Sequence, residues 1–249
     1  MASVIELADI IREDKWVPPV SIEDPGDSKA SKDGSMMKDM RKGVPRLVKF
    51  DSDSVLGNIL DTSRSFQTEN QSGICKGSVF VQLGGGVNID DAGSEFNPTL
   101  KAFSQQILEM AQPHVEKLAK TCLVPPKGWR VRPLVAKSSG LKEWWLRLHR
   151  PHHQTPVHFD LMTDGYGTLG PDALLVTMWI PLHQTNVRTG GLFIEFKSAE
   201  HENLPRDVRW CPEMNAGNAV IFSGNTWHGS AACRHLRYSL DCRFVLEKI

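Results

Sequence analysis

Pro156-Val157-His158-Phe159-Asp160-Leu161, an alternation of apolar and polar residues that carries a histidine and a carboxylate, decides how this chain is read. On a β-strand the side chains at i and i+2 share a face, so His158 and Asp160 are placed to hold one ion together. A second histidine far downstream, in Trp227-His228-Gly229 at the head of another such run, completes a set of two imidazoles and one carboxylate. Such a set holds Fe(II) on one face of an octahedron and leaves the remaining positions free for a co-substrate and dioxygen. Arg237-Tyr238-Ser239 follows. An arginine and a serine alternating on one strand can grip a carboxylate, the guanidinium in a two-pronged contact and the hydroxyl by a further hydrogen bond.

The period of two persists on both sides of that triplet. Runs at Glu143–His149, Pro156–Leu161, Ala173–Pro181, Gly191–Phe196, Asp207–Cys211, Asn218–Phe222, Trp227–Ser230 and Leu236–Leu246 read as strands. Eight strands close a jelly roll from two four-stranded sheets. Earlier the period changes. After Asn97-Pro98, a cap and a first-turn proline, Leu100, Phe103, Ile107, Leu108 and Ala111 recur at helical spacing and predict a supporting helix to about Gln112. Pro113 ends that helix or kinks it. Val4, Ile5, Ala8 and Ile11 predict a short amphipathic helix within residues 1–16, and the polar stretch Ser21–Gly43 reads as a lid with too little apolar surface for the core. The expected fold is mainly β with helical decoration, one domain over 1–249. Helical and loop support with the lid would occupy 1–140, and the jelly-roll core with its metal site 141–249.

Over roughly residues 143 to 245 the sequence resembles the Fe(II)/2-oxoglutarate-dependent oxygenases, and within them the phytanoyl-CoA dioxygenase-like branch. Met178-Trp179-Ile180-Pro181-Leu182, Gly190-Gly191-Leu192 and Ala216-Gly217-Asn218-Ala219-Val220-Ile221-Phe222 resemble the branch's strand, its Gly-x-Leu turn and the strand leading to the distal histidine. Lys197-Ser198-Ala199-Glu200-His201 stands where the branch has Gly-Ser-His. The resemblance implies a double-stranded β-helix of the cupin type, with Fe(II) bound by His158, Asp160 and His228 and 2-oxoglutarate anchored by Arg237 and Ser239. It also implies that dioxygen is consumed, that 2-oxoglutarate becomes succinate, and that a C–H bond of a small molecule in specialised metabolism is hydroxylated, desaturated or cyclised. The same Arg-x-Ser spacing occurs in isopenicillin N synthase, where it binds a substrate carboxylate. An Fe(II) oxidase that uses no 2-oxoglutarate therefore stays open, as does a noncatalytic jelly-roll binding protein. Arg243, on the same strand face, is a rival anchor or else a partner of Asp241 or Glu247.

On the strand before the triplet, alternation places Trp145, Arg147 and His149 on one face. They are candidate substrate contacts, with Arg147 pairing an anionic group. His149, His152 and His153 form a second imidazole cluster, one without a carboxylate at matching spacing. Composition narrows the partner further. Lysine plus arginine equals aspartate plus glutamate at 29 each, which leaves no net field to draw nucleic acid or a membrane surface. A small molecule is expected. No apolar run approaches the ~18 residues of a membrane span, and Met1–Trp16 carries Glu6, Asp9, Glu13 and Asp14 where a targeting segment avoids acids. Five cysteines without C-x-x-C spacing fit the reduced thiols of a cytoplasmic protein.

Overall fold

The structure, a computed structural model, describes residues 21–23, 37, 40–48, 57–59, 61–62, 79–84, 87–89, 98–149, 151–160, 169–170, 172–197, 207–233 and 236–249. The helix expected within 1–16, most of Ser21–Gly43, Asn97 and Ser198–His201 lie outside them. In chain order the strands are β1 (Ser21–Glu23), β2 (Arg46–Val48), β3 (Val79–Gln82), β4 (Val87–Ile89), β5 (Trp129–Pro133), β6 (Trp144–His149), β7 (Thr155–His158), β8 (Ala173–Pro181), β9 (Leu192–Phe196), β10 (Val208–Trp210), β11 (Ala219–Ser223), β12 (His228–Ser230) and β13 (Arg237–Lys248). A 25-residue helix, α1 (Pro98–Cys122), stands between β4 and β5.

All eight strands expected beyond Gly140 are present, and they divide four and four. The larger sheet runs β1-β2-β11-β8-β13-β6-β3-β4, with β5 also on β13, and the smaller runs β10-β9-β12-β7. These two faces make the jelly roll. The larger sheet is wider than expected because β1 to β5, from a region expected to supply only helix, loop and lid, extend it at both edges. Strands there cover the backbone donors and acceptors that β11 and β6 would otherwise leave unpaired. β13 is the central member: β8 lies along one edge, while β6 covers Arg237 to Cys242 and β5 covers Phe244 to Lys248 on the other.

α1 packs on the outer face of the larger sheet. Ile107, Leu108, Ala111, Val115, Leu118 and Cys122 recur at the helical period and are buried against Trp144, Leu146, Leu148, Leu240 and Phe244. Each large apolar side chain so buried contributes roughly 1.5–3 kcal/mol. This seam explains why α1 does not stop near Gln112, as expected, but continues ten residues further to Cys122. Pro113 falls on the exposed side, where water can satisfy the carbonyl that loses its donor. The packed seam outweighs that local defect. A second correction concerns the expected lid. Ser21–Gly43 supplies β1, and Met37 and Met40 belong to the core cluster under α1. The unbranched thioether fills irregular gaps, and two such residues among polar neighbours leave no periodic signal.

Between the two sheets lies a separate cluster, Leu47, Trp179, Val220 and Phe222 from the larger and Leu192, Ile194, Phe196 and Val208 from the smaller. β13 thus presents Tyr238, Leu240, Cys242 and Phe244 to α1 and, by alternation, Arg237, Ser239, Asp241 and Arg243 to the space between the sheets. All eight residues are buried. Among the described residues, Cys211 and Cys242 are free thiols, and no helix is long and apolar enough to cross a membrane.

Candidate metal and carboxylate site

β7 and β12 run antiparallel with His158 directly across from His228, and their ring centroids are 4.3 Å apart. Each Nδ1 lies against a backbone carbonyl, that of Pro156 at 2.8 Å for His158 and that of Thr226 at 2.9 Å for His228. A carbonyl oxygen only accepts, so Nδ1 carries the proton in both rings and each Nε2 keeps a bare lone pair. Burial pushes the His228 pKa down to about 4, against the opposing pull of the Asp160 carboxylate. At neutral pH the ring is uncharged, the form that binds a metal.

Asp160 does not share a strand with His158, as the alternation suggested, because β7 ends at His158. Phe159 packs edge-on against Trp227 with ring centroids 4.7 Å apart, and beyond it Asp160 reaches the larger sheet. There Thr177 Oγ1 of β8 donates to Asp160 Oδ2, and Arg243 Nη2 of β13 donates to Oδ1 at 2.8 Å. Burial alone would raise the carboxyl pKa, but the charges of Arg243 and His228 and the two hydrogen bonds hold it well below the usual carboxylate range. The ligand atoms of His158, Asp160 and His228 all lie within 4.8 Å of one another, and among the described residues no other group of three His, Cys, Asp or Glu side chains converges so. Two bare imidazole nitrogens and an ionised carboxylate suit a divalent first-row metal.

Arg237 is fully buried, and its Nη1 donates to the carbonyl of Gly190. A side chain at Gly190 would collide with Cys233, and φ there is +86°. The Nε and Nη2 of Arg237 have no hydrogen-bond partner, and neither has the hydroxyl of fully buried Ser239 on the same face. Burial, reinforced by the Arg147 charge, draws the guanidinium down to about 10. Leaving such donors unsatisfied costs roughly 1–3 kcal/mol each. An incoming carboxylate would relieve that cost.

The remaining candidates are placed differently from expectation. Arg147, a candidate contact for an anionic substrate, pairs with Asp241 at 2.8 Å, both largely buried. Arg243 holds Asp160, while Glu247 binds Arg130 and Arg132. Trp145 shares the inner face of β6 and donates its indole N–H to Glu143 at 2.8 Å. His149 is fully buried across the ladder from Arg237, with its Nδ1 3.1 Å from that of His153. His152 occupies a turn at φ 66°, so the second imidazole cluster does not converge. Thr177, Asp241 and the carbonyl of Gly190 escaped the sequence reading as site groups. Only Asp241 had a signal, its place in the alternation of β13.

No family model and no curated protein matches the chain. Solved structures with a similar fold do exist. EctD from S. alaskensis in its apoform is 14% identical with a TM-score of 0.52, over 92% of this chain and 81% of that one. EctD with 2-oxoglutarate and 5-hydroxyectoine is 13% identical with a TM-score of 0.52, over 92% and 80%. EvdMO1 is 12% identical with a TM-score of 0.50, over 85% of this chain and 49% of that one. At these identities the likeness establishes the jelly-roll fold.

Proposed function

We propose that this chain is a non-haem Fe(II)/2-oxoglutarate-dependent dioxygenase that oxidises a C–H bond of a small molecule in specialised metabolism. The observation that carries the reading is Arg237, a buried guanidinium with two unpartnered nitrogens on the same inner face of β13 as Arg243, which holds Asp160 of the triad. His158, Asp160 and His228 are the proposed ligands; the Nδ1 protons of the two histidines are held by backbone carbonyls, which would leave each Nε2 lone pair for the ion. Arg237 and Ser239 would orient the distal carboxylate of the diacid. EctD, which shares the fold, has been solved with 2-oxoglutarate. Fe(II) bound here would supply dioxygen activation, coupled to oxidative decarboxylation of 2-oxoglutarate to succinate and carbon dioxide. The apolar cluster between the sheets, including Trp179 and Phe222, would keep water from the reaction. Anaerobic crystallography with Mn(II) and 2-oxoglutarate tests the assignment directly: the diacid should meet Arg237 at one end and the triad's ion at the other. Substrate-dependent dioxygen uptake that needs no 2-oxoglutarate and yields no succinate would support an oxidase of the isopenicillin N synthase kind instead.

A further inference from the structure

We propose that Arg243 makes metal and diacid binding interdependent: by sharing the Asp160 carboxylate, it weakens the triad's hold on a divalent ion until a doubly charged anion enters. The inference rests on the reading of this site as a metal and 2-oxoglutarate centre.

Asp160 is the only anionic member of the triad, and both its oxygens are engaged before any ion arrives. The Arg243–Asp160 pair is 1% exposed on the carboxylate side and 9% on the guanidinium side, so solvent and salt screen it little. Arg243 is also fixed in place. Its residue stands opposite Thr177 in the β13–β8 ladder, and its backbone N–H donates to the Glu143 carbonyl on the other edge. The Glu143 carboxylate is engaged by Trp145 and Gln82. A dication bound through the two imidazoles and Asp160 would therefore arrive beside a cation that already holds the same carboxylate.

The rest of the inner face sharpens this. Arg147 is met by Asp241, whereas Arg237 has no carboxylate partner among the described residues. A dianion carries charge opposite to the ion at one end and to Arg237 at the other. Each ligand lowers the electrostatic cost of the other, and by linkage the effect is reciprocal. Thr177 donates to Asp160 without charge and serves only to orient it. Arg243 is thus a positioning residue, acting on the ion through Asp160.

The test is a Mn(II) titration followed by electron paramagnetic resonance, with and without saturating 2-oxoglutarate, on the wild type, Arg243→Gln and Arg243→Lys. The wild type should bind Mn(II) on the order of tenfold more tightly with 2-oxoglutarate present. Arg243→Gln, which deletes the charge, should bind Mn(II) alone more tightly than the wild type and gain less from 2-oxoglutarate than the wild type does, keeping only the part that direct contact between diacid and ion supplies. Arg243→Lys should keep the wild-type coupling. Arg243→Met is a second neutral replacement should Arg243→Gln not fold. Full coupling in the neutral variants, or its loss in Arg243→Lys, overturns the proposal while leaving the metal and diacid site intact. A wild type that binds no Mn(II), or binds it indifferently to 2-oxoglutarate, overturns the functional reading itself.

Discussion

Arg237 stands directly across the β6–β13 ladder from His149, so a buried guanidinium without a carboxylate faces an imidazole that cannot neutralise it. The ligand-free protein is therefore strained electrostatically at this point. Arg237→Met should stabilise the ligand-free protein by about 1–3 kcal/mol, because an apolar chain of similar reach replaces an unpaired buried charge. The same change should abolish the rise in melting temperature on adding 2-oxoglutarate, while Mn(II) binding persists. Ser239→Ala should cost only about 1 kcal/mol of 2-oxoglutarate affinity. Thermal melts with and without the diacid check the stabilisation, the lost rise and the Ser239→Ala effect, and a Mn(II) titration checks metal binding. An Arg237→Met protein that melts lower would show that the guanidinium supports the fold.

Acid should destabilise the metal-free protein well above the range where carboxylates titrate. Burial pushes His149 well below the ordinary histidine value, helped by the charges of Arg237 and Arg147, and it pushes His228 down to about 4. In the unfolded chain both rings take up a proton near pH ~6.5, and in the folded chain they do not. The unfolded state then binds more protons, so stability falls as pH drops from about 6.5 towards 4, by an amount on the order of 3 kcal/mol from His228. Asp160, whose carboxyl is held well below the usual range, adds a further loss as pH falls below about 4, where the unfolded carboxyl takes up a proton and the folded one does not. Urea midpoints measured across this range should slope downward with acid, and a flat profile between about pH 7 and pH 5 contradicts the placement of these rings.

Replacing Asp160 by alanine should remove Mn(II) binding and also destabilise the ligand-free protein by roughly 3–5 kcal/mol, because buried Arg243 loses the carboxylate it holds. His152→Ala, in the turn that does not converge on the triad, should retain Mn(II) binding. Equal metal affinity in the two variants would be incompatible with the triad.

The Arg147–Asp241 pair should behave as a structural ion pair. Arg147→Met and Asp241→Leu should each destabilise by about 3 kcal/mol, and the double variant by much less than their sum. Measured by denaturant unfolding, additive losses would mean that the two groups act separately and would return Arg147 to consideration as a substrate contact.

Pro113→Ala should raise the melting temperature, since the proline ring and its missing donor lie on the exposed side of α1 and no packing depends on them. The gain is bounded by the difference in helix propensity, about 3 kcal/mol. A decrease would mean that the kink itself is needed to seat α1 on the sheet.

The eight jelly-roll strands were legible as apolar or alternating runs bounded by turn residues, although β8, β9, β11 and β13 are buried on both faces, and β8 is reproduced to the residue as Ala173–Pro181. The short strands β1 to β4 were not. Three or four residues leave no period to detect, and their pairing is decided by edges of β11 and β6 far away in sequence. His158, Asp160, His228 and Arg237 stood out by residue type and order, but who pairs with whom did not. Arg243 and Arg147 share a strand face pattern with acidic neighbours on either side, and only the three-dimensional approach of Asp160 to β13 assigns one carboxylate to each. The end of α1 was missed for the opposite reason: a local rule about proline yields to a long apolar seam.

β13 alternates one residue for the core with one residue for the chemistry over its whole central length. A slip of a single residue in its pairing would turn Tyr238, Leu240, Cys242 and Phe244 inward and drive Arg237, Ser239, Asp241 and Arg243 against α1. No arrangement of this strand ruins the site and spares the fold. Misregistered molecules would consequently be unstable and would lack the buried polar face as well, so cellular surveillance that recognises only exposed apolar surface also screens the integrity of that face.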